Sequence, residues 1–339
     1  MKSLVLTAPF EFELQDTPAP TPGPNEVLIR VRAVGICGSD VHGMTGTTGR
    51  RIPPIVMGHE ATGDVVEVGS GGDNAWVGRR VTFDSTIYCG RCDFCKKGQI
   101  NLCDNRKVLG VSCDEYRLDG AFADYVVVPD HILYELPDSV SYEHGSLTEP
   151  LSVALHAVRL AQLKGQERVL VVGCGIIGLL AIQAARATGC GTIIATDLNP
   201  HRLEAARACG ADVAVHPDAL DDEPEVNVAF EAVGTGATVK AAIGKVRKGG
   251  TVVLIGNLAP EVPFPMQTVV ARQIAVLGSC ASSGEYPDCL DLIADGAIDA
   301  TLLISEIIPL SQAATMFEKL RKNPDDHLKI VVKPGERNV

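Results

Sequence analysis

Four cysteines fall close together in this chain, as Cys89-Gly-Arg-Cys92-Asp-Phe-Cys95 and then Cys103. Thiolates at this density can close a tetrahedral zinc site in which protein fills every position, so the ion would brace a loop rather than react. A bacterial iron–sulfur motif also begins Cys-x2-Cys-x2-Cys, but its fourth cysteine comes three residues later and is followed by proline. Here the last gap is seven residues, and Asp104 follows Cys103. The spacing favours a structural zinc, with an iron–sulfur cluster or disulfides as the alternatives.

Reactive chemistry has to lie elsewhere. Upstream stand Gly35-Ile-Cys37-Gly-Ser39-Asp40-Val-His42 and Gly58-His59-Glu60. Cys37, His59 and Glu60 are candidate zinc ligands by residue type, although positions so far apart are not joined by spacing. Downstream, Gly173-Cys-Gly175-Ile176-Ile177-Gly178 follows an apolar strand-like run and opens a helical one. In that context the first glycine permits a tight turn, the second lets backbone approach a pyrophosphate, and the third lets helix pack on strand. The helix N-terminus then offers unpaired N–H groups to the phosphates. Asp197 ends the next strand-like run nineteen residues after Gly178. Its carboxylate can accept both ribose hydroxyls and would repel the 2′-phosphate of NADP, so NAD is the expected cofactor, with Arg202 the nearest basic residue. The plainer reading is that Asp197 caps a helix starting near Pro200. Val233 and Gly234, then Gly256 and Asn257, end later strands and could line the same crevice.

These groups need two kinds of scaffold. A chain of 339 residues exceeds what one hydrophobic core usually holds, so two domains are expected. The first 150 residues read as β-rich, with strands expected at 27–34, 65–68 and 122–128 between Gly and Pro clusters. From about residue 152 strand and helix alternate, which implies a parallel sheet. Leu310 to Leu320 is amphipathic and Lys329 to Val332 strand-like, with a fold partner that pattern alone does not assign. A formal charge of −12 argues against a general nucleic-acid or anionic-membrane partner. No apolar run reaches the roughly 18 residues of a membrane span. With no signal-peptide pattern at the start, cytoplasm is the expected compartment. Its eleven cysteines then read as metal ligands or small buried groups.

The ordered set resembles the zinc-dependent medium-chain dehydrogenase/reductase superfamily, and within it the polyol dehydrogenase branch of the sorbitol/iditol type. That set is the Cys37–His42 segment, Gly58-His59-Glu60, the four-cysteine lobe, Thr148-Glu149-Pro150-Leu151 and the glycine turn. The resemblance implies an α/β protein in which a GroES-like β-rich catalytic domain (1–151 and 291–339) surrounds a Rossmann doubly wound NAD-binding domain (152–290). It implies two zinc ions per chain. One is held by Cys89, Cys92, Cys95 and Cys103, and the other by Cys37 and His59, with Glu60 and Glu149 as direct or exchangeable ligands. Glu149 would otherwise be a surface acid before a helix. The implied reaction is oxidation of a secondary alcohol to a ketone, with hydride passing to NAD and zinc supplying Lewis-acid stabilisation. Ser39 would accept the alcohol proton, His42 would carry it towards solvent, and Asp40 would orient the ligand histidine. Relatives form dimers and tetramers, so a homo-oligomer is expected.

Two substrate-side positions depart from the branch pattern. An aromatic usually follows the relay histidine, where Gly43-Met44 stands here. A Phe-Arg-Tyr run usually occupies the place of Gly278-Ser279-Cys280-Ala281-Ser282. The polyol is therefore open, and a threonine- or butanediol-type dehydrogenase and a non-catalytic NAD-binding sensor are the alternatives.

Overall fold

Strands near the start mix buried and exposed positions, whereas Val169–Val172 and Ile193–Thr196 are buried throughout. The computed structural model describes residues 1–335, which cluster into two compact units. The first holds Met1–Glu149, Tyr286–Ala294 and residues 304–335; the second holds Pro150–Glu285 and Asp295–Leu303. Where one return near residue 291 was expected, the chain returns at Tyr286, leaves at Asp295 and returns again at Ile304.

The first unit is built on a seven-stranded sheet. At its centre Glu26–Gly35 pairs antiparallel with Glu60–Val68, with Tyr125–Pro129 and with Lys329–Lys333. The last of these is the strand whose partner sequence could not assign; its other edge runs parallel to Ile304–Pro309. Phe122 to Asp124, expected within a strand, precede it instead, because their backbone bonds to Lys2 and Leu4; the Phe122 ring stands edge-on to Phe317, with centroids 5.6 Å apart. Phe317 lies on the Ala313–Lys322 helix, which buries Ala313, Met316 and Phe317 at helical spacing. These side chains join Val27, Ile29, Val31, Val65, Val81 and Phe83 in one core. Truncating a buried phenylalanine in such a core costs about 3–5 kcal/mol.

Register brings chemistry together at one end of this sheet. Gly35 lies opposite Glu60, and Val331 lies opposite Gly35, so the start of one strand, the end of another and a segment from the far C-terminal region converge. The approach is close: a Cβ on Gly35 would stand 2.2 Å from Glu60 Oε2, so a larger residue there would displace that carboxylate.

The second unit carries a six-stranded parallel sheet in the spatial order 213–215, 193–196, 169–172, 226–231, 246–254, 275–278. The strands Val169–Val172 and Ile193–Thr196 are buried on both faces, which is why they read as unbroken apolar runs rather than alternating ones. Strand order reverses on either side of Val169–Val172, so the carboxyl end of that strand opens a crevice between diverging connections. No helix among the described residues is long and apolar enough to cross a membrane.

Candidate metal centre and cofactor turn

Cys37 precedes the short helix Gly38–Gly43 and caps it, its sulfur accepting from the Ser39 backbone N–H at 3.4 Å. Ligand atoms of Cys37, His59 and Glu60 all lie within 4.8 Å of one another. The fold thus joins three candidates that spacing could not. Behind His59, fully buried Asp40 places Oδ1 3.5 Å from Nδ1 and accepts from Arg51 Nη2 at 2.9 Å. Burial works against both charged forms, but mutual attraction outweighs it: Asp40 is held well below the usual carboxylate range and His59 well above the usual imidazole value. Glu60 is held from the other side. Lys329 Nζ stands 2.9 Å from Oε1 and 2.6 Å from Oε2, and donates also to the Ile36 carbonyl at 3.0 Å. Burial opposes the lysine's charge, yet Glu60, with Cys37 and Glu149 further off, raises it above the ordinary value.

The donor set fits a divalent cation. Arg51 and Lys329 match Asp40 and Glu60 charge for charge. A divalent ion would hold Cys37 as thiolate, Glu149 as carboxylate and His59 as neutral imidazole, and would balance the two added negative charges. Glu149 itself lies outside the three-residue group, in the first turn of the Thr148–Leu160 helix, where Ser85 Oγ donates to its Oε1 at 3.3 Å. It is no surface acid. Burial pushes its carboxyl up to about 7, with Glu60 adding to the rise and His59 and Lys329 opposing it. Ser39 is exposed, and its hydroxyl lies 3.3 Å from Cys37 Sγ; His42 is exposed in the last turn of the short helix.

The four sulfurs of Cys89, Cys92, Cys95 and Cys103 also lie within 4.8 Å of one another. Tetrahedral zinc with bonds of about 2.3 Å sets its sulfurs about 3.8 Å apart. Cys92 and Cys95 are separated by 3.5 Å, so the lobe has the dimensions of a single-ion site, and its cysteines are unbridged. Backbone N–H groups of Cys89 and Asn105 point at Cys103 Sγ, at 3.3 and 3.4 Å, as expected around a thiolate ligand.

In the second unit, Gly173 has φ +91°, and a Cβ there would stand 2.3 Å from Val233 Cγ2. A Cβ on Gly178 would stand 1.8 Å from the Gly173 carbonyl oxygen, while one on Gly175 would meet nothing within 4 Å. The two flanking glycines therefore serve packing and the middle one faces open space, as a bound pyrophosphate requires. Ile176 and Ile177, half-buried, open the Ile176–Ala187 helix. Asp197 Oδ2 accepts from the Cys174 N–H at 2.7 Å and Oδ1 from the Asn199 N–H at 2.9 Å. The helix Pro200–Ala208 is capped by Asn199, not Asp197. Each Asp197 oxygen keeps acceptor capacity for a hydroxyl. Arg202 is half-buried on that helix, and its charge opposes the burial that, with Asp197, pushes the Cys174 thiol up to about 12. Cys174 is thus an inert packing residue. Glu231 Oε1 accepts from Val233 and Gly234 N–H at 3.0 and 2.8 Å. Gly256 lies against that turn, where a Cβ would come 2.3 Å from Gly234 N, and Asn257 follows it.

Sequence reading missed Arg51, Lys329 and Ser85. Arg51 and Lys329 are 5% and 1% exposed, respectively. A lysine starting an apolar strand was the available signal for Lys329; only the sheet register shows that it meets Glu60.

Residues 23–138 match the alcohol dehydrogenase GroES-like domain model, and residues 177–295 the zinc-binding dehydrogenase model. The chain is 35% identical to the sorbitol dehydrogenase of Bacillus subtilis (strain 168), covering 99% of this chain and 98% of that protein. It is 36% identical to the L-idonate 5-dehydrogenase of Vitis vinifera, covering 89% and 86%, respectively. Among solved structures, a Sinorhizobium meliloti 1021 protein described as a zinc-binding dehydrogenase and bound to NADP superposes with a TM-score of 0.90 at 34% identity, covering 98% of this chain and 99% of that one.

Proposed function

The chain belongs to the zinc-binding alcohol dehydrogenase family, and on that premise we propose that it oxidises a secondary alcohol of a polyol or related sugar alcohol to a ketone, with NAD as hydride acceptor. The observation that carries this reading is the convergence of Cys37, His59 and Glu60 within 4.8 Å, with Asp40 behind the histidine. Cys37 and His59 would hold the reactive zinc, and Glu60 and Glu149 would serve as exchangeable carboxylates beside it; the four-cysteine lobe would hold a second, structural zinc. Zinc bound at the first site supplies a Lewis acid for the alcohol oxygen. Ser39, exposed and directed at Cys37, takes the alcohol proton, and exposed His42 passes it to solvent. The open face at Gly175 admits the pyrophosphate, the N–H groups at the start of the Ile176–Ala187 helix bind it, and Asp197 accepts the ribose hydroxyls. Arg202, Val233, Gly234, Gly256 and Asn257 complete the cofactor crevice.

Polyhydroxy substrates are supported by the sorbitol and L-idonate dehydrogenases to which the chain is similar. Asp197 favours NAD, although the Sinorhizobium relative holds NADP. A screen with NAD and NADP across polyols, diols, amino alcohols and polyol phosphates tests both choices. Turnover confined to threonine or 2,3-butanediol would overturn the polyol assignment, and preference for NADP the cofactor assignment. The cytoplasm is the proposed location. A homo-oligomer is proposed on the Ala275–Gly278 strand, which ends its sheet beside a helix with Met266 63% and Val270 71% exposed; light scattering showing a monomer would overturn it.

A further inference from the structure

Arg51 lies behind the candidate metal centre, and nothing in the reaction above uses it. Its guanidinium is buried, with Nη2 on Asp40 Oδ1 at 2.9 Å and Nη1 on the Arg50 carbonyl oxygen at 3.0 Å. Asp40 is fully buried, and the oxygen that accepts from Arg51 is the one 3.5 Å from His59 Nδ1. The backbone around Arg51 is pinned: Ile52 N donates to the Ser112 carbonyl at 3.0 Å, and Ser112 N to the Arg50 carbonyl at 3.2 Å.

The stem of Arg51 reaches Asp40 by passing over Gly43. A Cβ on Gly43 would stand 2.3 Å from Arg51 Cγ and 3.3 Å from its Cβ. These are side-chain atoms in a buried passage, so a larger residue at position 43 would displace the arginine. This is the position where the polyol branch that the chain resembles has an aromatic; here the stem of Arg51 occupies the space beside it.

We propose that Arg51 is a positioning residue for the metal centre: its guanidinium fixes the Asp40 carboxylate that orients His59, and Gly43 is the residue that admits it. The inference rests on Cys37 and His59 holding a metal. A fixed carboxylate behind a ligand histidine sets ring orientation and ligand strength, and loss of such a partner typically lowers metal affinity about 10–100-fold.

The test is competition for zinc by a chromophoric chelator, with the four-cysteine zinc as internal control for an intact fold. Arg51→Met should weaken one of two zinc ions about 10–100-fold and leave the other within about twofold. Arg51→Lys, which keeps the charge but not the planar fork, should recover part of the loss. Gly43→Ala should weaken the same ion in the wild-type background and have no such effect in an Arg51→Ala background. If Arg51→Met is too unstable to purify, the Gly43→Ala pair of measurements decides alone. Two zinc ions of unchanged affinity in Arg51→Met would overturn the proposal, as would an equal effect of Gly43→Ala in both backgrounds. A wild-type protein binding only one zinc, unaffected by Cys37→Ala, would instead overturn the metal-centre reading beneath it.

Discussion

Replacing Lys329 with methionine removes the cation that holds Glu60 and keeps the apolar length of the side chain. Lysine and glutamate are each 1% exposed, and both carboxylate oxygens lie within 3 Å of Nζ, so no solvent takes the lysine's place. Removing one partner of a buried ion pair typically costs about 3–5 kcal/mol. The expected loss at pH 7 is therefore about 3–5 kcal/mol, or a fall in Tm of about 6–20 °C for a unit of this size. Urea unfolding of wild type, Lys329→Met and Lys329→Met/Glu60→Gln in the same metal state measures it. The double variant should recover most of the loss. A single variant within about 1 kcal/mol of wild type, or a double variant no better than the single, would refute the argument that this pair is a buried charge-balanced unit.

Asp197→Ala removes the acceptor of the Cys174 N–H and the candidate ribose ligand together; KM for NAD should rise about tenfold or more, with a smaller loss for NADP, measured by steady-state kinetics with both cofactors. Cys95→Ala should lower bound zinc from two ions to one and reduce thermal stability, because metal binding at a structural site contributes directly to folding; unchanged zinc content by elemental analysis would count against a four-sulfur site. Burial opposes the charge on Glu285, but His156 Nδ1 at 2.9 Å, the Ser283 N–H and Arg159 hold its carboxyl below the usual range. Its contribution should be complete above the ordinary glutamate pKa and disappear as pH falls through the lowered one, and Glu285→Gln should flatten that acid limb of a Tm-against-pH curve.

How much of this was legible before folding depends on whether a feature is local. The glycine turn could be read because its parts are contiguous and each glycine has its own steric reason, as Gly173, Gly175 and Gly178 show. Strand-like runs such as Val169–Val172, alternating with helical ones, announced a parallel sheet. Cys37 and His59 were distinguished by their motif context, not by any spacing rule, and Glu149's depth was invisible at the surface-like start of a helix. The partners of Arg51 and Lys329 could not be read, since a cation's partner is decided by register: Lys329 meets Glu60 only because one central strand pairs with both of theirs. The Asp295–Leu303 excursion was missed for a similar reason, because contacts such as Asp299 N with Gln183 Oε1, at 2.6 Å, join residues far apart in sequence.

The most direct measurement is deuterium transfer from the carbinol carbon of a labelled polyol to NAD, followed by mass spectrometry of both products, with Cys37→Ala alongside. Zinc-replete wild type should yield deuterated NADH and the matching ketone, while Cys37→Ala, folded and still holding its four-cysteine zinc, should give only background. Transfer at the wild-type rate in Cys37→Ala would contradict a metal centre at Cys37, as would no transfer to any polyol from wild-type protein carrying both zinc ions.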